Sequence, residues 1–575
     1  MSLDDAVRAK MRKRLEFLYG ERAEAVLAKL EAKLEPVPPP RELEDSWWDE
    51  RDGILITYGD MVRSEGEAPI STLRQFLCDR ELDRKIRGVH FLPFFPYTSD
   101  DGFSVVDYRR IDPELGDWDD VTDIGQYFRL MFDQVLNHCS ASSEYFQEFL
   151  KDEAPGKDYF ITADPEDARL ALVTRPRSLP LLTAFETPSG FKHVWTTFSA
   201  DQVDLNYENP DVLIEMLDVL LMYAKQGAEV VRLDAIAYLW KELGTSCIHL
   251  PQTHEVVKLM RDVLDAYAPG TILISETNVP HKENVSYFGD GDEAQMVYQF
   301  SLAPLLLDAF LSEDATPLLA WLSNLEPPQA GTTYFNFTAS HDGIGVRPLE
   351  GLVEGERFAR LLENVQARGG QISMKRNPDG SESPYELNIT YLSALDEPDG
   401  LPAEQHAKRF LASQSIMLTL QGIPGIYFHS LVGTLNDVVG MEKTGRARSI
   451  NRRKFERSEL EAVLGNENSV SAHVYQGYCH LLDVRTKQSA FHPDARQEVF
   501  SKDNPAVVAF QRTSQSGEQS IWCFTNVSSV PQSLPSKDLP KTVSDLLTGR
   551  RFEHNGTTEL EGWETLWLVE DELSR

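Results

Sequence analysis

The sequence has few cysteines and no long apolar run. Its 575 residues include five cysteines, and none of them is part of a CxxC or other paired spacing. This scatter favours neither a disulfide framework nor a zinc site. No stretch approaches the roughly 18 consecutive apolar residues of a membrane span. The N-terminal segment carries charges throughout and lacks the apolar core of a signal peptide. We therefore expect a cytoplasmic protein with no membrane partner and no metal site.

Basic side chains are also scarce. The chain has 56 lysines and arginines against 91 aspartates and glutamates, and its formal net charge is −35. Because nucleic-acid backbones are bound by a positive field, this balance argues against DNA or RNA as a partner. Hydrophobic residues make up 41% of the chain and aromatic residues 10%. These fractions provide a substantial core and exclude a wholly disordered chain.

Short, near-continuous apolar runs recur from residue 54 onward, with helical stretches between several of them. Such runs are typical of parallel strands that are covered on both faces. Eight of them with helical crossovers predict an α/β fold, a (β/α)8 TIM barrel. The runs lie at 54–60, 89–95, 130–138, 230–235, 271–277, 296–300, 333–342 and 425–430.

Other segments interrupt this alternation and predict the domain organisation. Residues 1–35 have helical spacing that a proline cluster at 36–40 ends, and residues 1–48 form an N-terminal helical extension. Residues 139–206 and 344–405 are too long for simple crossovers, so we expect inserted subdomains after the third and seventh strands, the second of them rich in loops. The barrel then comprises 49–138, 207–343 and 406–495. Alternating runs between turn signals predict an antiparallel β domain over 496–575.

Carboxylates lie at the ends of several predicted strands, together with histidines and an arginine. In such barrels the active site lies at the carboxyl ends of the strands. A single acid there is usually a helix cap or an ion-pair partner, but acids from three strands at one mouth are typical of a functional site. Glycosidic bond cleavage needs two carboxylates, one to attack the anomeric carbon and one to protonate the leaving oxygen. The candidates are Asp133, His138, Arg232, Asp234, Glu276, His341 and Asp342.

Four of these segments resemble, in order, the signature segments of the α-amylase superfamily of glycoside hydrolases. They are DQVLNH (133–138), VRLDA (231–235), ISETNV (274–279) and ASHD (339–342), and QVDLN (202–206) resembles the superfamily's additional motif. The resemblance implies that Asp234 is the nucleophile, Glu276 the general acid/base and Asp342 the residue that stabilises the transition state. It also implies substrate contacts from His138, Gln202, Arg232, Tyr238 and His341.

Further segments resemble the sucrose phosphorylase subfamily, namely 92–108, 244–247, 383–395 and 448–452. This resemblance implies that Asp100 holds the distal hydroxyls of glucose, Phe103 stacks on the sugar and Arg448 pairs with Asp100. A clamp between an arginine and a carboxylate behind one glucose would admit a single terminal glucosyl unit and refuse a polymer. Tyr385 and Arg177 match acceptor-side residues associated with phosphate, although an isolated arginine in a loop can equally be a surface residue.

Within the subfamily, residues 276–302 and the N-terminal extension resemble the glucosylglycerate phosphorylases most. This implies a retaining enzyme that reversibly cleaves 2-O-α-D-glucosyl-D-glycerate with phosphate to α-D-glucose 1-phosphate and D-glycerate. No cofactor is implied, the partners are small molecules, and a homodimer is compatible with the resemblance. The alternatives are a sucrose, sucrose 6-phosphate or glucosylglycerol phosphorylase, and an α-glucoside hydrolase or transglucosidase. An anionic acceptor needs cations at the mouth, for which the candidates are Arg175, Arg177, Lys375 and Arg376.

Overall fold

Eight parallel strands close into a barrel in the computed structural model, which describes residues 4–39, 41–42, 46–177, 179–377, 380–500, 504–537 and 539–571. Each strand is hydrogen-bonded to the next in chain order, and the eighth is bonded to the first. All eight predicted strands and the barrel are thereby confirmed. They are β1 Ile54–Thr57, β2 Gly88–Phe91, β3 Arg129–Val135, β4 Ala228–Asp234, β5 Ile272–Ser275, β6 Met296–Tyr298, β7 Thr333–Phe337 and β8 Ile423–Tyr427.

Helices cover the outside of the barrel, so its strands are buried on both faces. The helix before β4 shows why they form there. Asn209 caps it by accepting from the backbone N–H of Asp211, Pro210 occupies the first turn, and its apolar residues are buried. The outer helices are Pro69–Asp79, Trp118–Gly125, Pro210–Lys225, Pro251–Tyr267, Leu302–Ser312, Thr316–Ser323, Ala403–Thr419 and Val470–Arg485.

The segment after β3 folds as a small subdomain of its own. It contains the helix Glu144–Lys151 and an antiparallel hairpin of Leu182–Thr187 with Gly190–Trp195. A second antiparallel pair joins its beginning, His138–Ser140, to its end, Gln202–Asp204. This pairing returns the end of the insertion to the barrel mouth and brings Gln202 beside His138.

The segment after β7 is more ordered than the sequence suggested. The expectation of a loop-rich insertion was wrong for Gln371–Arg376 and Glu382–Asn388, because these two segments pair as antiparallel strands. The short strand Ile344–Gly345 pairs with the second arm, and the helix Gly355–Ala367 precedes the first. The apolar pattern of a half-buried strand is missing here, since no residue of the first arm is buried and only the last three of the second arm are.

Structure outside the barrel occurs at both ends of the chain. Two N-terminal helices, α1 Asp5–Tyr19 and α2 Ala23–Lys33, pack on the helices Pro251–Tyr267 and Pro210–Lys225 respectively. A six-stranded antiparallel sheet follows the barrel, as predicted, beside a two-stranded one. The six strands are Arg496–Val499, Val507–Thr513, Ser520–Asn526, Thr565–Glu570, Thr542–Asp545 and Arg551–Glu553, and the smaller sheet pairs Gln532–Pro535 with Thr557–Leu560. None of the helices in the described ranges has the length and apolar character needed to cross a bilayer.

Candidate active site

A cavity opens at the carboxyl ends of the barrel strands. It collects side chains from β4, from the loops after β2, β3, β5 and β7, and from both inserted segments. Most of the predicted site residues line it, while Arg232 is buried beside Asp234 and Tyr238 contacts the ring of Phe198 on the cavity wall. The lining residues are Asp100, Phe103, His138, Arg177, Phe198, Gln202, Asp234, Ala235, Glu276, Asn278, His341, Asp342, Tyr385, Glu386 and Arg448.

Arg232 connects the predicted catalytic carboxylates. Its guanidinium donates to Asp133 and, at 2.8 Å, to Asp234, and it lies 3.8 Å from Glu276. His90 contacts the other oxygen of Asp133 at 2.7 Å. Charge-assisted bonds of this length fix both partners, so Arg232 sets the orientation of Asp234. Burial lowers the pKa of Arg232, but the charges around it, Asp133 first among them, hold that pKa well above its ordinary value.

The two predicted catalytic carboxyls, Asp234 and Glu276, both keep a proton more readily than an ordinary carboxyl does. Burial raises the pKa of Asp234 and that of Glu276, and the neighbouring Glu276 carboxylate raises that of Asp234 further. Arg232 is 2.8 Å from Asp234 but 3.8 Å from Glu276, so the negative charge is better stabilised on Asp234. On these distances Glu276 is the better proton donor of the two, and it also accepts the backbone N–H of Ala235 at 2.9 Å. Ala235 has a positive φ of 50°, a strained conformation found often at active sites.

Asp342 also lines the cavity, beside two arginines and a histidine. Arg448 contacts one of its oxygens at 2.5 Å, and His341 lies 3.5 Å from the other. Although burial raises the pKa of Asp342, the guanidinium groups of Arg448 and Arg452 hold it below its usual range, so Asp342 is ionised. Arg448 is in turn held by Glu386 through bonds of 3.1 and 2.8 Å.

The structure corrects one expected pair. Arg448 was expected to pair with Asp100, but its ion pairs are with Asp342 and Glu386. Asp100 instead lies 3.7 Å from Arg452, which also contacts Asp101 at 2.5 Å. The Nε atom of Arg452 donates to the carbonyl of His341 at 2.7 Å, and its terminal nitrogen donates to Asp101. A clamp between an arginine and a carboxylate therefore exists, with Arg452 as its arginine.

An aromatic surface forms one wall of the cavity. The rings of Phe103 and His341 stack at 4.6 Å and 8°. The carbonyl of Phe103 accepts from His138 at 3.0 Å and from the Gln202 amide at 3.2 Å. Both side chains are therefore oriented by the same backbone oxygen. Burial lowers the pKa of both His138 and His341, so both are neutral at neutral pH. Neutral rings offer hydrogen bonds to sugar hydroxyls without adding a charge.

The candidate cations divide into two groups. Arg177 lines the cavity, and within the described residues no acidic side chain pairs with it. It lies close enough to Tyr385 and Tyr238 to lower their pKa values, although burial dominates and raises the pKa of Tyr385 to about 12. The other candidates do not line the cavity. Lys375 lies 3.6 Å from Glu350, and Arg376 lies near Arg175.

Sequence reasoning missed four residues of the cavity, namely Phe198, Ala235, Asn278 and Glu386. Ala235, Asn278 and Glu386 are inside segments that carried the resemblance, but each could be assigned only from its contacts. Asn278, for example, packs against Gly345, where a Cβ atom would lie 2.5 Å from its amide group. In the described ranges no cluster of three or more histidine, cysteine, aspartate or glutamate side chains is arranged to hold a metal ion.

The barrel and its carboxylates define a catalytic domain of the α-amylase type. Residues 83–330 match the family model described as the alpha amylase catalytic domain. A solved sucrose 6F-phosphate phosphorylase from Thermoanaerobacter thermosaccharolyticum superposes with a TM-score of 0.72 at 25% identity, covering 85% of this chain and 95% of that one.

Longer and closer matches define the family. The chain is 48% identical to the glucosylglycerate phosphorylase of Allomeiothermus silvanus, across 99% of this chain and 100% of the relative. It is 44% identical to that of Escherichia coli, across 91% and 92%. Identity to the sucrose phosphorylase of Bifidobacterium adolescentis is 30% across 71% of this chain and 81% of the relative. The chain belongs to the glucosylglycerate phosphorylases of the α-amylase superfamily.

Proposed function

We propose that the protein is a retaining phosphorylase that reversibly converts 2-O-α-D-glucosyl-D-glycerate and phosphate to α-D-glucose 1-phosphate and D-glycerate. The observation that carries this proposal is the carboxyl pair of Asp234 and Glu276, joined through Arg232, in the same cavity as the unpaired cation Arg177. The acids supply the chemistry of glycosyl transfer, and the cation suits an anionic acceptor. The curated relatives at 44–48% identity support the choice of glycerate.

In the first step Asp234 attacks the anomeric carbon of the glucosyl unit. The bond from that carbon to the glycerate oxygen breaks, and the leaving oxygen takes the proton of Glu276. A β-glucosyl ester on Asp234 results. Asp342, ionised beside Arg448, faces the same cavity and holds sugar hydroxyls as positive charge develops on the ring.

In the second step a phosphate oxygen attacks the ester from the side that glycerate left. Glu276, now a carboxylate, accepts the phosphate proton, and Asp234 is released. Two inversions at one carbon return the α configuration. Phosphate is already anionic, so it needs less base assistance than water, and Arg177 stabilises its charge in the cavity.

The wall opposite the acceptor limits the donor to one glucosyl unit. Asp100 lines the cavity, and Arg452 closes the space behind it. Phe103, stacked on His341, provides a flat apolar surface for a sugar face. A polymer would have to pass through the pair of Arg452 and Asp101, whose contact is 2.5 Å.

The proposal is tested with purified protein and glucose 1-phosphate as donor. Release of phosphate is followed with D-glycerate, fructose, fructose 6-phosphate and glycerol as acceptors, and glucose is measured in parallel. We expect the highest kcat/KM with D-glycerate and slow formation of free glucose. A higher kcat/KM with fructose or fructose 6-phosphate would assign a sucrose or sucrose 6-phosphate phosphorylase, and glucose as the main product would assign a hydrolase.

We also propose a cytoplasmic location and a homodimeric state. All five cysteines are free thiols, as is usual in a reducing compartment. The inserted subdomain after β3 exposes Leu172, Leu179 and Phe191, which are large apolar side chains suited to a contact between copies. Light scattering of the purified protein tests the second point, because a monomeric mass at micromolar concentration contradicts it.

A further inference from the structure

A second arginine lies beside the acceptor end of the cavity, outside its lining. Arg347 follows the strand Ile344–Gly345, which is attached to the cavity wall at two points. The backbone N–H of Val346 donates to the carbonyl of Tyr385 at 3.1 Å, and Gly345 is in close contact with Asn278. Tyr385 and Asn278 both line the cavity. The position of Arg347 is therefore fixed relative to the catalytic residues by the backbone.

The guanidinium of Arg347 is only loosely paired. Its ion pair is with Glu283 at 3.6 Å, well beyond the roughly 2.7–2.9 Å of a charge-assisted hydrogen bond. Within the described part of the chain, no hydrogen bond from this guanidinium is present. The side chain of Arg347 is 17% exposed and that of Glu283 44% exposed. An arginine in this state keeps donors available for another anion.

His249 completes a cluster with these two residues. Its Nε2 lies 3.3 Å from the Glu283 oxygen that faces Arg347, and its Nδ1 lies 3.0 Å from the Tyr287 hydroxyl. Burial, His254 and Arg347 lower the pKa of His249 to about 4, so the ring is neutral at pH 7. Nδ1 accepts from Tyr287, so we assign the ring proton to Nε2, which faces Glu283 at 3.3 Å without a hydrogen bond. The positive charge of the cluster is then that of Arg347.

The backbone beside this cluster is strained and adjoins the active site. Cys247 and His249 have positive φ angles of 51° and 55°. The backbone N–H of His249 donates to the carbonyl of Ala237 at 3.0 Å, one residue before Tyr238. Non-glycine residues keep such angles only where surrounding contacts enforce them, and these angles are frequent at ligand sites. The strain therefore marks the loop that presents His249 to Glu283.

We propose that Arg347 is a specificity-determining residue that binds the carboxylate of the acceptor, and that Glu283 is the counter-ion which this carboxylate replaces. The inference rests on the proposed function and adds to it the group that recognises the acid of glycerate. A planar guanidinium can hold a carboxylate through two parallel hydrogen bonds. The guanidinium of Arg347 forms no such pair with Glu283, which lies 3.6 Å away. An uncharged acceptor cannot replace Glu283 at Arg347, so the cluster favours acceptors that carry a negative charge.

The test compares D-glycerate with glycerol, its uncharged analogue, as acceptors of the glucosyl unit of glucose 1-phosphate. Phosphate release gives kcat/KM for each. We expect Arg347→Gln to reduce the ratio of glycerate to glycerol by roughly tenfold or more, and Arg347→Lys to restore part of it because the charge is kept. Glu283→Gln removes the competing anion, so it should lower the KM for glycerate.

The control is Arg360→Gln, which removes a positive charge from a pair exposed on the helix Gly355–Ala367. Its ratio of glycerate to glycerol should equal that of the wild type. If the wild type prefers glycerate and Arg347→Gln keeps the same ratio, the inference is refuted and the proposed function stands. If the wild type does not use glycerate, both are refuted. Should Arg347→Gln fail to fold, an unchanged KM for glycerate in Arg347→Lys and Glu283→Gln refutes the inference.

Discussion

Replacing Glu386 with glutamine tests how the cavity holds Asp342. Glu386 has a side chain that is 1% exposed, and it accepts two bonds from Arg448 and one from the backbone N–H of Gly343 at 3.1 Å. Arg448 reaches Asp342 with its remaining nitrogen. In Glu386→Gln the negative charge is lost, and in either orientation the new amide N–H₂ must face a donor of Arg448. Arg448 is then balanced by Asp342 alone.

The size of the effect follows from these contacts. A hydrogen bond to a charged group contributes about 1.5–3 kcal/mol, and glutamine keeps one of the two bonds to Arg448 in a weaker, neutral form. With Glu386 neutral, Arg448 is paired more strongly with Asp342. The Asp342 carboxylate is then less available to accept hydrogen bonds from the sugar hydroxyls. A loss of about 2.7 kcal/mol from the transition state corresponds to a fall in kcat/KM of roughly 100-fold. Since the fold keeps its other contacts, thermal stability should fall by only a few degrees, on the order of 2–4 °C per kcal/mol at most for a chain of this size.

The assay measures kcat/KM for phosphate release from glucose 1-phosphate, with the melting temperature of the same sample. Glu397→Gln is the matched control, because Glu397 also pairs with two arginines, Arg368 and Arg409, and does not line the cavity. We expect it to lower the melting temperature without lowering kcat/KM. The reasoning is refuted if Glu386→Gln retains wild-type kcat/KM, or if the control loses as much activity as Glu386→Gln.

Three further predictions concern the catalytic acids and the clamp. Asp234→Ala should lower the rate of glucosyl transfer by at least about 10⁴-fold, and appreciable residual turnover would mean that the nucleophile is another residue. Because the raised pKa of Glu276 keeps its acid form to higher pH, kcat/KM should fall as pH rises through that pKa. Glu276→Gln should lack this decrease at high pH. The variant should also transfer glucose from glucosyl fluoride, whose leaving group needs no proton, far better than from glucosylglycerate. Arg452→Leu leaves Asp100 and Asp101 unpaired, so it should raise the KM for glucose 1-phosphate by roughly tenfold or more. Arg453→Leu is the control. It removes an exposed arginine that is paired with Glu459 and should leave this KM unchanged.

The barrel was predictable because its signal is local. Each strand is a short apolar run, and its partner strands are the runs before and after it in the chain. The predicted catalytic residues Asp234 and Glu276 are close together for the same reason, since parallel strands bring their carboxyl ends to one edge of the barrel. The hairpin of Gln371–Arg376 and Glu382–Asn388 was missed because its first arm has no buried side chain, so it lacks an apolar signal.

The partners of the cavity arginines could not be predicted, because they depend on contacts between distant segments. Arg448 and Arg452 lie four residues apart, and sequence spacing does not show which of them faces Asp100. The short helix Ala447–Asn451 directs Arg448 toward Asp342 and leaves Arg452 facing the 100–101 turn. Glu386 is 62 residues from the arginine that it holds. A single sequence contains no measure of such distances.

An enzyme with a net charge of −35 that binds two anions needs local positive charge, and the arginines of the site supply it in two distinct states. Arg232, Arg448 and Arg452 are each held by carboxylates at 2.8 Å or less, so their charge is already balanced and they act by orienting acids. Arg177 has no acidic partner in the described residues, and Arg347 has a loose one. Charge that is not balanced in the free protein is the charge available to phosphate and glycerate. Because these two arginines lie in or beside a partly enclosed cavity, salt should weaken anion binding less than it weakens contacts on the open surface.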